Sequence, residues 1–152
     1  TMHIWPKNWG WFKDTSIAEN FDMVIKNTTD YIQRNAAAAA ETGKAIVVEE
    51  FGLPRDSHSF LPASATSYRD RYFASIFELL LQHINSNGII AGANFWTFSG
   101  TGRPSQKQLL WKKGDDLLGD PPVEEQGLNS VYDSDASTWE VISSYIKKTG
   151  GR

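Results

Sequence analysis

Lys44-Ala45-Ile46-Val47-Val48-Glu49-Glu50-Phe51-Gly52 is the stretch on which the fold turns. Ala45 to Phe51 is an apolar run, β-branched in its middle, that ends in two carboxylates. It follows a helix-type segment that stops at Gly43, and Gly52, Pro54, Asp56 and Ser57 open a loop after it. Such a run between a helix and a loop predicts a buried parallel strand. Burying a carboxylate at its end is costly unless something pairs with it or uses it. Strand side chains alternate, so Ile46, Val48 and Glu50 are expected on one face and Glu49 on the other.

Working outward, Thr1 to Trp5 is short and apolar and is closed by Pro6, the end of a strand followed by a Trp-rich loop, Lys7 to Asp14. Asp14, Thr15 or Ser16 can cap the helix that follows, and Glu19 can complete a capping box with Ser16. Phe21, Val24, Ile25, Thr28, Tyr31 and Ile32 recur at helical spacing. The alanines 36–40 extend this helix or begin another behind it. A long helix is expected from about Ala65 to Asn85, with Tyr72, Phe73, Ile76, Phe77, Leu80 and Leu81 as its apolar stripe. Ile89 to Phe98 predicts a second buried strand. Residues 100–126 form a long irregular stretch, and loops of that length in a compact domain are usually functional. The last helix is expected over about Asp135 to Lys148, capped by Asp135 or Ser137.

The order is β-α-β-α-β-loop-α, which implies an α/β fold with parallel strands and right-handed crossovers. Chemistry in such folds sits where strands end and loops begin. His3 and Trp5, Glu50, and Asn94 and Trp96 all lie at strand ends. Alternation puts His3 with Trp5, and Asn94 with Trp96 above Ile90 and Gly92. Singly, each has a plainer reading: a structural His, a core Trp, an acid paired with Arg or Lys. Three such features at three consecutive strand ends favour a site. Trp9 and Trp11 suit a sugar-binding wall and a folded-back loop anchor equally well. His58 lies in the loop after Glu50, within reach of a site there. Asp115, Asp116 and Asp120, beside Lys112 and Lys113, read most plainly as a solvated loop, with a calcium site as the weaker alternative.

The chain has 152 residues, 40% hydrophobic and 22% charged, with a net charge of -3. Nothing basic marks a nucleic-acid or anionic-membrane surface, and no apolar run approaches the roughly 20 residues of a membrane span. The absence of cysteine excludes disulfides, thiolate metal sites and a Cys nucleophile. Six Trp, five Tyr and eight Phe are many for this length, and aromatic faces stack on sugar rings as well as filling cores. No phosphate loop, HExxH or GxSxG motif is present.

The runs HIWPKNWGW (3–11), IVVEEFGLPRD (46–56) and GANFWTFSG (92–100), with GDPPVEEQGLNSVYDSDAST (119–138), together resemble glycoside hydrolase family 5, specifically its endo-β-1,4-mannanases. The resemblance covers essentially the whole chain, residues 1–152. It implies the C-terminal part of a (β/α)8 TIM barrel, about three βα units corresponding to strands 6 to 8, since a complete barrel needs roughly 250 residues. It implies that Glu50 is the nucleophile and that His3 supports it. Trp5 stands where the family has a Tyr; an indole can donate one N–H but offers no phenolic oxygen. Trp96 corresponds to the family's sugar platform and Trp9 to a loop Trp on the leaving-group side, with Asn94 and His58 as further substrate-binding candidates.

Retaining chemistry needs a second carboxyl about 5 Å from the first. The family carries it in an Asn-Glu-Pro motif that this sequence lacks. The acid/base, and an Arg from an early strand, are therefore expected from the upstream part of the same barrel. No metal or organic cofactor is required. The implied partner is β-mannan or a related polysaccharide, and the implied location is extracellular or periplasmic. Three strands alone would leave open edges and an uncovered face, so self-association of the isolated chain is expected. A non-catalytic mannan-binding fragment, a family 5 β-glucanase, and a free-standing α/β domain of flavodoxin-like outline remain the alternatives.

Overall fold

A computed structural model describes residues 1–105 and 110–150. Three parallel strands, β1 (Met2–Ile4), β2 (Ile46–Phe51) and β3 (Ile90–Ala93), form one sheet in the order β1-β2-β3. Helices α1 (Ile17–Glu41) and α2 (Ser67–Asn85) connect them. The expected order is present, and the alanines 36–40 are the tail of α1. Gly43, at φ 65°, ends that helix in a conformation open to glycine. No helix among the described residues is long and apolar enough to cross a membrane.

The core lies between this sheet and the helices. Ile4, Val48 and Phe51 meet Phe21, Val24 and Ile32 of α1 and Tyr72, Phe73 and Ile76 of α2 within one cluster. Phe51 anchors it, with its ring 4.9 Å from Phe73 and 5.8 Å from Phe77, both edge-on, an arrangement favoured by the ring quadrupoles.

Simple alternation fails on β2 and β3. Met2 pairs with Val48, but His3 pairs with Glu50 and Ile4 with Phe51. Glu49 is therefore an extra residue, a β-bulge. Val48 and Phe51 are buried against the helices, while both Glu49 and Glu50 meet His3 on the opposite face. Glu50 thus does not share a face with Ile46 and Val48, and Glu49 does not point away from it. A second irregularity sets Ile46 beside Ile90 and Val47 beside Gly92. Ile90 is buried in the core cluster, whereas Asn94 is exposed.

The expected strand Ile89 to Phe98 is also divided. Asn94 and Trp96 still donate their backbone N–H groups to Val48 and Phe51, at 2.8 Å each. The chain then leaves β2, because Thr97 bonds Asn129 and Val131 instead. Strand β4 (Phe98–Gly100) pairs in parallel with β5 (Val131–Tyr132) as a second sheet. The Trp96–Thr97 peptide is cis.

Helix capping departs from expectation as well. Ser16 precedes α1 without capping it by its side chain; its hydroxyl bonds Lys13 instead, so no capping box forms. The start of α2 is capped from a distance, Asp56 accepting the N–H groups of Ser67 and Tyr68 at 3.1 Å each. Asp135 precedes α3 (Ala136–Lys148), but its carboxylate accepts from two buried guanidiniums, Arg55 at 2.6 Å and Arg69 at 2.7 Å.

Candidate active site

At the C-terminal ends of β1 and β2, the bulge brings two carboxylates to one histidine. His3 Nδ1 lies 3.2 Å from Glu50 Oε2, and His3 Nε2 lies 3.1 Å from Glu49 Oε2. The Trp5 indole N–H donates to Glu50 Oε2 at 3.3 Å. The Glu50 side chain is 25% exposed, against 46% for Glu49. Hydrogen bonds from Thr1 and His3 hold the Glu49 carboxyl below the usual carboxylate range.

Glu50 is therefore oriented from two sides, by a ring nitrogen and an indole N–H, and still reaches solvent. A carboxylate so held is suited to attack an electrophile or to accept a proton. Fixing it by donors removes rotational freedom before any substrate arrives.

Trp5 and Trp96 stand edge-on, ring centres 6.4 Å apart, and form a corner beside Glu50. Gly52 makes this possible. A Cβ there would lie 2.7 Å from the Trp96 carbonyl oxygen, 3.0 Å from the Trp5 ring and 3.3 Å from Asn129 Oδ1. Any side chain at 52 would push the walls apart.

Other candidates are placed elsewhere. Asn94 is exposed just beyond β3. The Trp9 ring is centred 5.2 Å from Trp11 and 5.1 Å from Tyr31 of α1, so it seats the loop on that helix. It remains 41% exposed. His58 joins an ionic cluster that ties three loops together. Lys7 Nζ lies 3.4 Å from His58 Nε2 and 3.5 Å from both Asp14 Oδ1 and Glu125 Oε2.

Sequence reasoning missed Glu49 as a partner of His3, because the bulge leaves no periodic signal. Gly52 reads only as a loop residue, and the approach it permits comes from Trp96, Trp5 and Asn129, 44, 47 and 77 positions away. Asp120 is not solvated as expected: it is buried, and it accepts the Gly127 backbone N–H at 2.7 Å. Among the described residues no group of three or more potential ligands gathers to hold a metal ion.

The family model for "GH family 5 beta-mannosidase-like" proteins matches residues 1–150. The chain is 28% identical over 98 residues to mannan endo-1,4-beta-mannosidase 2 of Arabidopsis thaliana, spanning 64% of this chain and 21% of that protein. The crystal structure of a glycoside hydrolase family 5 mannosidase from Rhizomucor miehei superposes with a TM-score of 0.82 at 31% identity, covering 94% of this chain and 35% of that one. A glutamate-to-alanine mutant of the Rhizomucor enzyme in complex with mannosyl-fructose gives 0.83 at 29% identity, over 96% and 36%. The chain thus spans about a third of the solved relatives and about a fifth of the plant protein, and the parallel α/β architecture described above is that of their fold over this portion.

Proposed function

Because the chain belongs to glycoside hydrolase family 5, in its β-mannosidase-like group, we propose that it is the nucleophile-bearing portion of a retaining enzyme that hydrolyses β-1,4-mannan-type polysaccharide. In this reading β1, β2 and β3 are strands 6 to 8 of a (β/α)8 barrel. Glu50 attacks the anomeric carbon. His3 and Trp5 hold it in place, the indole N–H doing what a phenol would do elsewhere in the family. Trp96 and Trp5 wall the sugar, with Asn94 at the strand end and Trp9 and His58 in the outer loops.

The observation that carries the reading is the convergence of His3 and Trp5 on one oxygen of Glu50. A merely structural acid would be buried against a cation; this one is left one-quarter exposed beside an aromatic corner. A second carboxyl about 5 Å away must protonate the leaving oxygen and later activate water. We assign it to the upstream part of the barrel, along the open face of the sheet. A polymeric substrate places the whole protein outside the cytoplasm.

The test is reducing-sugar release from β-mannan by this chain co-expressed with an upstream barrel segment, beside the same pair carrying Glu50→Gln. Release that needs both parts and falls by at least about a thousandfold in the variant supports the assignment. Release that is unaffected by Glu50→Gln sinks it. A second reading, cleavage of short mannosides from one end, is favoured by the β-mannosidase-like family description and by the neighbour holding mannosyl-fructose. The product profile separates the two: mixed oligosaccharides for endo action, mannose alone for exo action.

A further inference from the structure

Glu49 reaches the site only because β2 is bulged beside β1. Met2 is in register with Val48 and His3 with Glu50, so Glu49 is the residue left over. An unbroken strand would turn it away from Glu50, whereas the bulge turns both acids toward His3. A bulge interrupts the ladder, and beside an active site it commonly re-aims a side chain. The His3 side chain is 46% exposed, and the strand that carries it has three residues. Packing alone leaves such a ring free to turn, so its two partners set its orientation. Nδ1 lies 3.2 Å from Glu50 Oε2, and Nε2 lies 3.1 Å from Glu49 Oε2. Glu49 is held below the usual carboxylate range by hydrogen bonds from Thr1 and His3. At neutral pH its oxygens therefore only accept, and Nε2 donates. Trp5 does not supply this anchor, because its indole N–H meets Glu50, at 3.3 Å, and not the imidazole.

We infer that Glu49 is a positioning residue for Glu50 that acts through His3: by accepting the Nε2–H it holds the imidazole with Nδ1 against Glu50 Oε2. That this matters to a reaction rests on the function proposed above, in which Glu50 is the nucleophile. His3 and Trp5 both meet Oε2, which leaves Oε1 to attack. Without Glu49 the half-exposed ring turns toward water, and Glu50 keeps only the indole as an orienting donor. An exposed pair such as His3 and Glu49 contributes little to stability. Its loss therefore shows in the reaction and not in folding. A misplacement of about 1 Å lowers a rate by about a hundredfold. With one of the two orienting groups still in place, a fall of about tenfold is expected.

Two variants carry the test. Glu49→Leu fills similar space and accepts nothing, while Glu49→Gln keeps a carbonyl oxygen for the Nε2–H. In this chain, 15N NMR at neutral pH follows the imidazole nitrogens of His3, identified by their loss in His3→Asn. Glu49→Leu is expected to move the Nδ1 signal, which belongs to the nitrogen that Glu49 does not touch, and Glu49→Gln to leave it near its wild-type position. An Nδ1 signal unchanged by Glu49→Leu overturns the inference. Kinetics on β-mannan use the chain co-expressed with the upstream barrel segment. There Glu49→Leu is expected to lower kcat about tenfold at an unchanged KM, and Glu49→Gln to recover most of the rate. Where Glu50→Gln is inactive, the inference is overturned by a Glu49→Leu kcat within about twofold of wild type, by a change confined to KM, or by a Glu49→Gln variant as slow as Glu49→Leu. If Glu50→Gln is itself active, the proposed function fails instead, and the Nδ1 signal alone decides whether Glu49 orients the ring.

Discussion

Asp135→Ala is the sharpest test of how the loops behind the site are held. One carboxylate serves two buried cations: Arg55 reaches Oδ1 at 2.8 Å and Oδ2 at 2.6 Å, and Arg69 reaches Oδ2 at 2.7 Å. The backbone N–H of Tyr132 also donates to Oδ2, at 2.9 Å. Arg55 and Arg69 are 1% and 0% exposed, and burial together with the charge of Arg55 already depresses the Arg69 guanidinium. Removing the carboxylate takes away the one acid that both buried guanidiniums pair with, leaving Arg69 only the charge of Asp70, and breaking even a single buried pair costs about 3–5 kcal/mol. The upper end is expected here, equivalent to roughly 10–20 °C in melting temperature for a domain of this size. Asp133→Ala is the control, since Asp133 pairs with Arg103 at the surface, where the side chains are 48% and 37% exposed; such pairs contribute less than about 1 kcal/mol. Urea unfolding followed by tryptophan fluorescence reads both variants, and Asp135→Asn keeps a measurable transition if the alanine variant is largely unfolded. If Asp135→Ala loses no more stability than Asp133→Ala, the reasoning about buried charge is wrong.

Gly52→Ala should cost about 1–3 kcal/mol, the usual range for overpacking, and should also shift the indole resonances of Trp5 and Trp96; unchanged resonances would mean that the approach at Gly52 is not tight. Asp120 binds its proton more tightly in the folded chain than the ordinary aspartate value of 3.8 allows, so its contribution to stability is complete below that value and is lost as pH rises through about 6. The loss amounts to about 3 kcal/mol at most, and Asp120→Asn should flatten the wild-type slope between those values in a pH series of urea midpoints; parallel slopes would refute the assignment. The sheet's outer edges at β1 and β3 carry no further strand among the described residues, so the isolated chain should self-associate as concentration rises, and light scattering that stays monomeric throughout would count against an open face.

The amino-acid sequence by itself determined the order of the main sheet's strands and the helices, because that order is written in local periodicity, but not the short strands β4 and β5. Phe21, Val24 and Ile32 recur along α1, Tyr72, Phe73 and Ile76 along α2, and the apolar run into Glu50 ends a strand whatever surrounds it. It also placed His3, Trp5, Glu50 and Trp96 at strand ends, where parallel folds expose side chains. Tertiary structure decided which of them meet. Whether Glu49 shares a face with Glu50 depends on the register of β1 against β2, since a bulge arises from pairing between strands and leaves no mark on residue spacing. The same holds for Asp135, a helix cap by local pattern, whose carboxylate is taken by guanidiniums 80 and 66 positions away. Asp120, polar and flanked by charge, reads as solvated until the loop folds it inward onto the Gly127 N–H. A charged side chain goes wherever its strongest partner lies, and that partner is chosen in space, not by nearness along the chain.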